Sequence, residues 1–144
     1  MIGFIETEDL LAIRNEVLRE GRLTLDECRF PTDNIDGAFH LGYFVDDELV
    51  CITSLFPQSY GSFIGIGYQL RGMATLEQYR GKGYGNKLVD FAVTYLHKLG
   101  ADYVWCNARK KAAKFYHDCG FEIVSDEFEV KGIGPHYVMC HKIQ

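Results

Sequence analysis

A chain of 144 residues with 47% apolar and 24% charged residues has the balance of a folded globular protein, and its length suits one domain over residues 1–144. A formal charge of -5 argues against general nucleic-acid binding, which needs a basic face, and no apolar run approaches the roughly 20 residues of a membrane helix. Five scattered cysteines with no CxxC pair suggest neither a disulfide framework nor a metal site.

In chain order, Ile2 to Ile5 reads as a short strand, with no basic flank and long apolar stretch of a signal peptide, so the cytoplasm is the expected compartment. A helix is expected from Asp9 to Arg19, with Leu10, Ile13, Val17 and Leu18 near one face and Gly21 as its stop. Residues 22–39 hold no period and are rich in turn formers. Leu41 to Val45 and Leu49 to Phe56 read as a hairpin turned at Asp46-Asp47-Glu48, and a glycine and aromatic stretch leads to an extended segment, Gln69 to Leu76.

The turn Arg80-Gly81-Lys82-Gly83-Tyr84-Gly85 follows, opening the clearest helix of the chain, with Leu88, Ala92, Tyr95, Leu96 and Leu99 at helical spacing before Gly100. Glycines leave backbone amides uncovered, and a helix start adds its own unpaired N–H groups, so the turn reads as an anion cradle to which Arg80 and Lys82 could add charge, the alternative being a tight strand-to-helix turn with solvated basic residues. A P-loop is ruled out by the missing Gly-Lys-Ser/Thr ending. A dinucleotide fold asks for an acidic residue at the end of the next strand, where this chain has Asn107, Ala108 and Arg109. That strand spans Ala101 to Asn107, a second helix Lys110 to Cys119, and extended stretches Phe121 to Val130 and Tyr137 to Ile143 close the chain.

Arg80, Gly83 and Gly85, placed between a strand and a helix, resemble the acetyl-coenzyme A motif of the GCN5-related N-acetyltransferase (GNAT) superfamily. Ala112, Phe115, Tyr116, Gly120 and Phe121 resemble its later motif, and Gly134-Pro135-His136 is similar to the ElaA branch. The resemblance implies an α+β sandwich: a mixed, mostly antiparallel sheet of about six or seven strands with helices on both faces. It implies acetyl-coenzyme A as cofactor and an amine on a small molecule or protein as acceptor; from composition and charge neither metal, nucleic acid nor membrane is expected, and a homodimer is a candidate assembly. Backbone groups of Met73, Ala74 and Thr75 are the implied partners of the pantetheine arm, and Tyr84 joins the phosphate turn.

Tyr116 matches the family's general acid. With a phenol near 10 and a thiol near 8.5, full proton transfer is uphill by about 2 kcal/mol, so a strengthening hydrogen bond to the departing thiolate is expected. Asn107 either bonds the arm or caps the next helix. Arg109 stands where the family often has asparagine, leaving cofactor phosphate, acidic substrate and solvent as its candidate partners. Glu27, His40, Glu77 and His136 are candidate bases, acting directly or through water, with His136 foremost although a lone histidine is more often structural, and no cysteine shows the partner a covalent relay needs. Residues 22–39 and 60–66 are expected to shape the acceptor pocket. The rival is a non-catalytic acyl-coenzyme A binding or sensing module, and an interaction domain is the third reading.

Overall fold

The computed structural model describes residues 1–143. Its elements are strand β1 (Ile2–Ile5), helix α1 (Thr7–Ile13), strands β2 (Phe39–Val45), β3 (Glu48–Pro57) and β4 (Gly67–Thr75), helix α2 (Tyr84–Lys98), strand β5 (Tyr103–Arg109), helix α3 (Ala113–Asp118), and strands β6 (Glu122–Ile123), β7 (Phe128–Val130) and β8 (Gly134–Lys142). One sheet runs in the order β1-β2-β3-β4-β5-β8-β6, with β7 also on β8. Every pairing is antiparallel except β4 with β5. The expected α+β fold is therefore present, and the sheet has eight strands rather than six or seven because the stretch 121–130 breaks into two short pieces on β8.

The helices cover both faces, as the alternation of β2 requires. His40 and Phe39 point to opposite sides. His40 bonds Ser54, which also bonds Arg14 just beyond α1, whereas Phe39 meets Tyr95 of α2 at 5.0 Å between ring centroids. Leu88, Val89, Ala92 and Leu96 of α2 are buried, the leucine and valine side chains each worth about 1.5–3 kcal/mol. That face holds the helix down and leaves its first turn free to face a ligand.

Three boundaries differ from the sequence reading. The first helix is α-helical only over Thr7–Ile13 and widens into a π-helix over Arg14–Leu18, where Arg14 is 1% exposed. The second predicted helix begins as a 3-10 turn, Lys110–Ala112. Pro135 lies inside β8, beyond the last β5 partner, Arg109↔His136, so that ladder loses no bond to it.

No helix among the described residues is long and apolar enough to cross a membrane.

Candidate active site

β4 and β5 pair only from Gly67↔Tyr103 to Gln69↔Trp105 and then part, β4 running on to Thr75 and β5 to Arg109. On its other side β4 bulges: Ser54 faces Arg71 and Ile52 faces Ala74, so Gly72 and Met73 together oppose Thr53. Glycine is required there, since φ is +67° and a Cβ would come 3.3 Å from Phe30 Cε2. Leu70 to Thr75 thus turn an edge without a strand partner toward β5, bordering an open cleft of about 1120 Å³.

At one end the cleft meets the glycine turn. Gly83 caps α2 with φ +81°, and the first helical bond runs from the Lys87 N–H to the Gly83 carbonyl at 3.1 Å. The N–H groups of Tyr84, Gly85 and Asn86 therefore have no helical acceptor. A Cβ at Gly85 would sit 3.2 Å from Phe115 and 3.3 Å from Met73, so the missing side chain lets α2 start directly against α3 and β4. Met73, Ala74, Thr75, Arg80, Gly81, Gly83, Tyr84 and Gly85 all line the cleft, as expected from sequence; Lys82 is exposed and does not. Arg80 folds back, its Nε donating to the Thr75 carbonyl at 3.3 Å. Lys111 stands nearby in the wall, a cation not singled out from sequence.

Tyr116 lines the middle of the cleft at 7% exposure, braced by the rings of Phe115 at 5.0 Å and Phe121 at 5.5 Å. Its hydroxyl makes no hydrogen bond among the described residues. Burial, with smaller contributions from Cys106 and Cys119, holds the phenol well above its ordinary value against the opposing field of Arg109. A protonated, unengaged O–H is the donor that a developing thiolate needs. Burial acts on the thiols in the same direction: it pushes Cys51 and Cys119 up to about 11 and raises Cys106 further, so none is a ready nucleophile.

Of the four candidate bases, only His136 is in the wall of this cleft. Its Nδ1 donates to the Gly134 carbonyl at 2.8 Å, which fixes the proton on Nδ1 and leaves the lone pair on Nε2 without a partner among the described residues. Glu27 is exposed and accepts the Thr24 N–H at 2.9 Å. Glu77 is exposed in the 3-10 turn Glu77–Tyr79. His40 has both ring nitrogens committed, Nδ1 to Ser54 Oγ at 2.7 Å and Nε2 to the Asp33 carbonyl at 2.9 Å. Asn107 and Arg109 lie on β5 in the cleft wall, with Arg109 directly opposite His136 in the ladder.

The two stretches expected to shape the acceptor pocket lie differently with respect to this cleft. Phe30, from the irregular stretch, reaches the wall, but residues 60–66 do not. Tyr60 and Phe63 instead cover the far side of β5, Tyr60 meeting Trp105 at 4.9 Å and donating its N–H to the Tyr103 hydroxyl at 2.8 Å. Arg71 and Arg19 also line the cleft. Neither belongs to a local motif, and only their three-dimensional neighbours identify them.

Comparisons with known proteins agree with this fold. Among solved structures, Escherichia coli ElaA superposes with a TM-score of 0.77 at 20% identity, covering 98% of this chain and 99% of that one. An aminoglycoside 6'-N-acetyltransferase complexed with coenzyme A gives 0.80 at 16% identity, covering 100% and 97%. These two share the fold. In sequence, the uncharacterized N-acetyltransferase YitI of Bacillus subtilis (strain 168) is 39% identical over 136 residues, 94% of this chain and 91% of the relative. Residues 29–139 match the family described as the acetyltransferase (GNAT) domain, so the chain belongs to the GNAT acetyltransferases, which use acetyl-coenzyme A.

Proposed function

We propose that this acetyltransferase moves the acetyl group directly from acetyl-coenzyme A to an amine within a ternary complex, with Tyr116 and His136 as its catalytic residues. The observation that carries the reading is one cleft bordered by three features: unengaged amides at the start of α2, the strand-free edge of β4, and the free hydroxyl of Tyr116.

The residues fit the cofactor. A diphosphate suits the amides of Tyr84, Gly85 and Asn86, with Arg80 and Lys111 supplying charge. The amides of a pantetheine arm suit the backbone of Met73, Ala74 and Thr75, as an added strand would, and Asn107 offers a side-chain amide on the opposite wall. Bound there, the cofactor supplies an activated acyl carbon and a thiolate leaving group. An attacking amine must shed a proton, and Nε2 of His136 is the free acceptor facing the cleft. Tyr116 donates its hydrogen bond to the sulfur side, where its own high proton affinity favours sharing over full transfer.

The test is release of coenzyme A thiol from acetyl-coenzyme A with a panel of primary amines. Amine-dependent release, with the acetylated amine identified by mass spectrometry, is the expected result. Tight binding of coenzyme A without turnover of any amine would overturn it in favour of a sensing module.

A further inference from the structure

The walls of the main cleft are electrostatically one-sided. Among the described residues that line it there is no Asp or Glu, whereas Arg19, Arg71, Arg80, Arg109 and Lys111 all do, in a chain of formal charge -5. Arg80 and Lys111 stand beside the glycine turn and answer to phosphates. Arg71 does not belong to that end. It precedes the β4 bulge, opposite Ser54, and its side chain lies on the face of the sheet that carries Arg14, away from α2.

Arg71 is held flat there. Its guanidinium carbon lies 4.2 Å from the centroid of Phe30, and that of Arg14 lies 3.7 Å from the same centroid. Two guanidinium groups so close to one ring occupy its two faces. Both terminal nitrogens of Arg14 are engaged: Nη1 and Nη2 each donate to an oxygen of Asp33 at 2.8 Å and also reach the Cys28 carbonyl and Ser54 Oγ, while its buried Nε has no partner among the described residues. Asp33 is thereby used up, since its remaining capacity accepts the Phe30 N–H. Arg71 forms no ion pair among the described residues, although it is half-buried and borders the cleft. Burial and the adjacent Arg14 both penalise its charge. A cation held against an aromatic ring, partly desolvated and unpaired, in the wall of a cavity, is a receptor for an oxyanion.

We propose that the acceptor amine carries a carboxylate that Arg71 binds, with Arg19 as a second cation, so that the substrates are amino-acid-like molecules rather than polycations. This rests on the transferase reading and names its substrate class. The planar guanidinium edge matches a carboxylate in a paired geometry, and a single half-buried cation balances a single negative charge. Val17 and Leu18 on one side, with Val130 and Ile133 on the other, give the same cleft apolar surface for the rest of such a molecule. A polyamine or aminoglycoside would meet cations with no carboxylate to answer it.

Matched pairs test this on the wild-type protein: amino acids against their carboxamides, alongside spermidine, an aminoglycoside and phosphoethanolamine, with kcat/KM read from coenzyme A release. The expected result is a preference of about 10- to 100-fold for the carboxylate, the size of a charge-assisted hydrogen-bond pair. Arg71→Gln should collapse that ratio toward one, and Arg71→Lys, which keeps charge without the planar fork, should restore only part of it. Equal or better use of the carboxamide, or a best substrate among the polycations or phosphoethanolamine, would overturn the proposal while leaving acetyl transfer intact. If no amine turns over, the transferase reading fails. Thermal stabilisation of the coenzyme A-saturated protein by amino acids then decides the site: carboxylate-dependent stabilisation lost in Arg71→Gln supports it, and none overturns it.

Discussion

Asp33 and Arg14 form a closed pair, both carboxylate oxygens accepting from the guanidinium at 2.8 Å, with the two residues 4% and 1% exposed. The pair ties the loop before β2 to the end of α1 and to Ser54 of β3. Removing one partner strands a buried charge, which costs about 3–5 kcal/mol. Asp33→Asn is therefore expected to lower the melting temperature sharply. The same pair predicts acid sensitivity. Burial alone would raise the Asp33 carboxyl, but bonds from Arg14 and the Phe30 N–H, with the Arg14 charge, hold it below its ordinary value. A depressed folded value stabilises above the unfolded value, near pH 4, and the contribution is lost as pH falls through the folded value. Wild type should lose stability below about pH 4 more steeply than Asp33→Asn, measured by thermal melts across pH.

Gly83 begins α2 at φ +81° beside the cleft, and Gly100 follows the same helix at φ +82°, far from it. Alanine at either is strained by about 1 kcal/mol. Only Gly83→Ala disturbs the amides proposed to hold the cofactor's phosphates. It is expected to raise the KM for acetyl-coenzyme A by roughly 10-fold, whereas Gly100→Ala should cost similar stability with KM unchanged.

Tyr116→Phe removes one oxygen from a buried ring whose hydroxyl has no partner among the described residues, so the fold should tolerate it. Turnover is expected to fall by roughly 10²–10⁴-fold with coenzyme A affinity preserved. Calorimetric titration of coenzyme A beside steady-state rates separates these. Equal turnover in the variant would remove Tyr116 from the chemistry.

What could be read from the sequence was local. The glycine turn and the spacing of Leu88, Ala92 and Leu96 announce a strand-to-helix anion site because both signals lie within one turn or one helix face. Arg14 carries no local signal of burial, since its burial depends on Asp33, 19 residues away, folding over it. Arg71 is unreadable for the same reason: its stacking on Phe30 and its freedom from ion pairs are properties of a bulge and a distant loop. Phe121 to Val130 misled as one strand because its apolar residues are divided between β6 and β7, whose shared partner, β8, follows in sequence.

Cysteine chemistry offers a separate check on direct transfer. The raised thiols of Cys51, Cys106 and Cys119 have little thiolate at pH 8. Brief treatment of the folded protein with iodoacetamide at that pH should leave coenzyme A release unchanged, with mass spectrometry finding these three unmodified. Inactivation in step with alkylation of Cys119 would point to a covalent relay instead.

His136 is 6% exposed, and the proton on its Nδ1 is held by Gly134, so substitution tests chemistry and packing together unless the two are separated. Asparagine can supply a short N–H donor near Nδ1 but has no counterpart to Nε2, whereas phenylalanine keeps the ring shape against Phe128, 5.8 Å away, and loses both nitrogens. If Nε2 accepts the amine's proton, both variants should lose roughly 10²-fold or more in kcat/KM for the acceptor, with the KM for acetyl-coenzyme A little changed. A purely structural histidine predicts a different split: a lower melting temperature in His136→Phe, partial rescue in His136→Asn, and turnover that follows stability. The acceptor kcat/KM of His136→Asn at a temperature where it is fully folded decides between them.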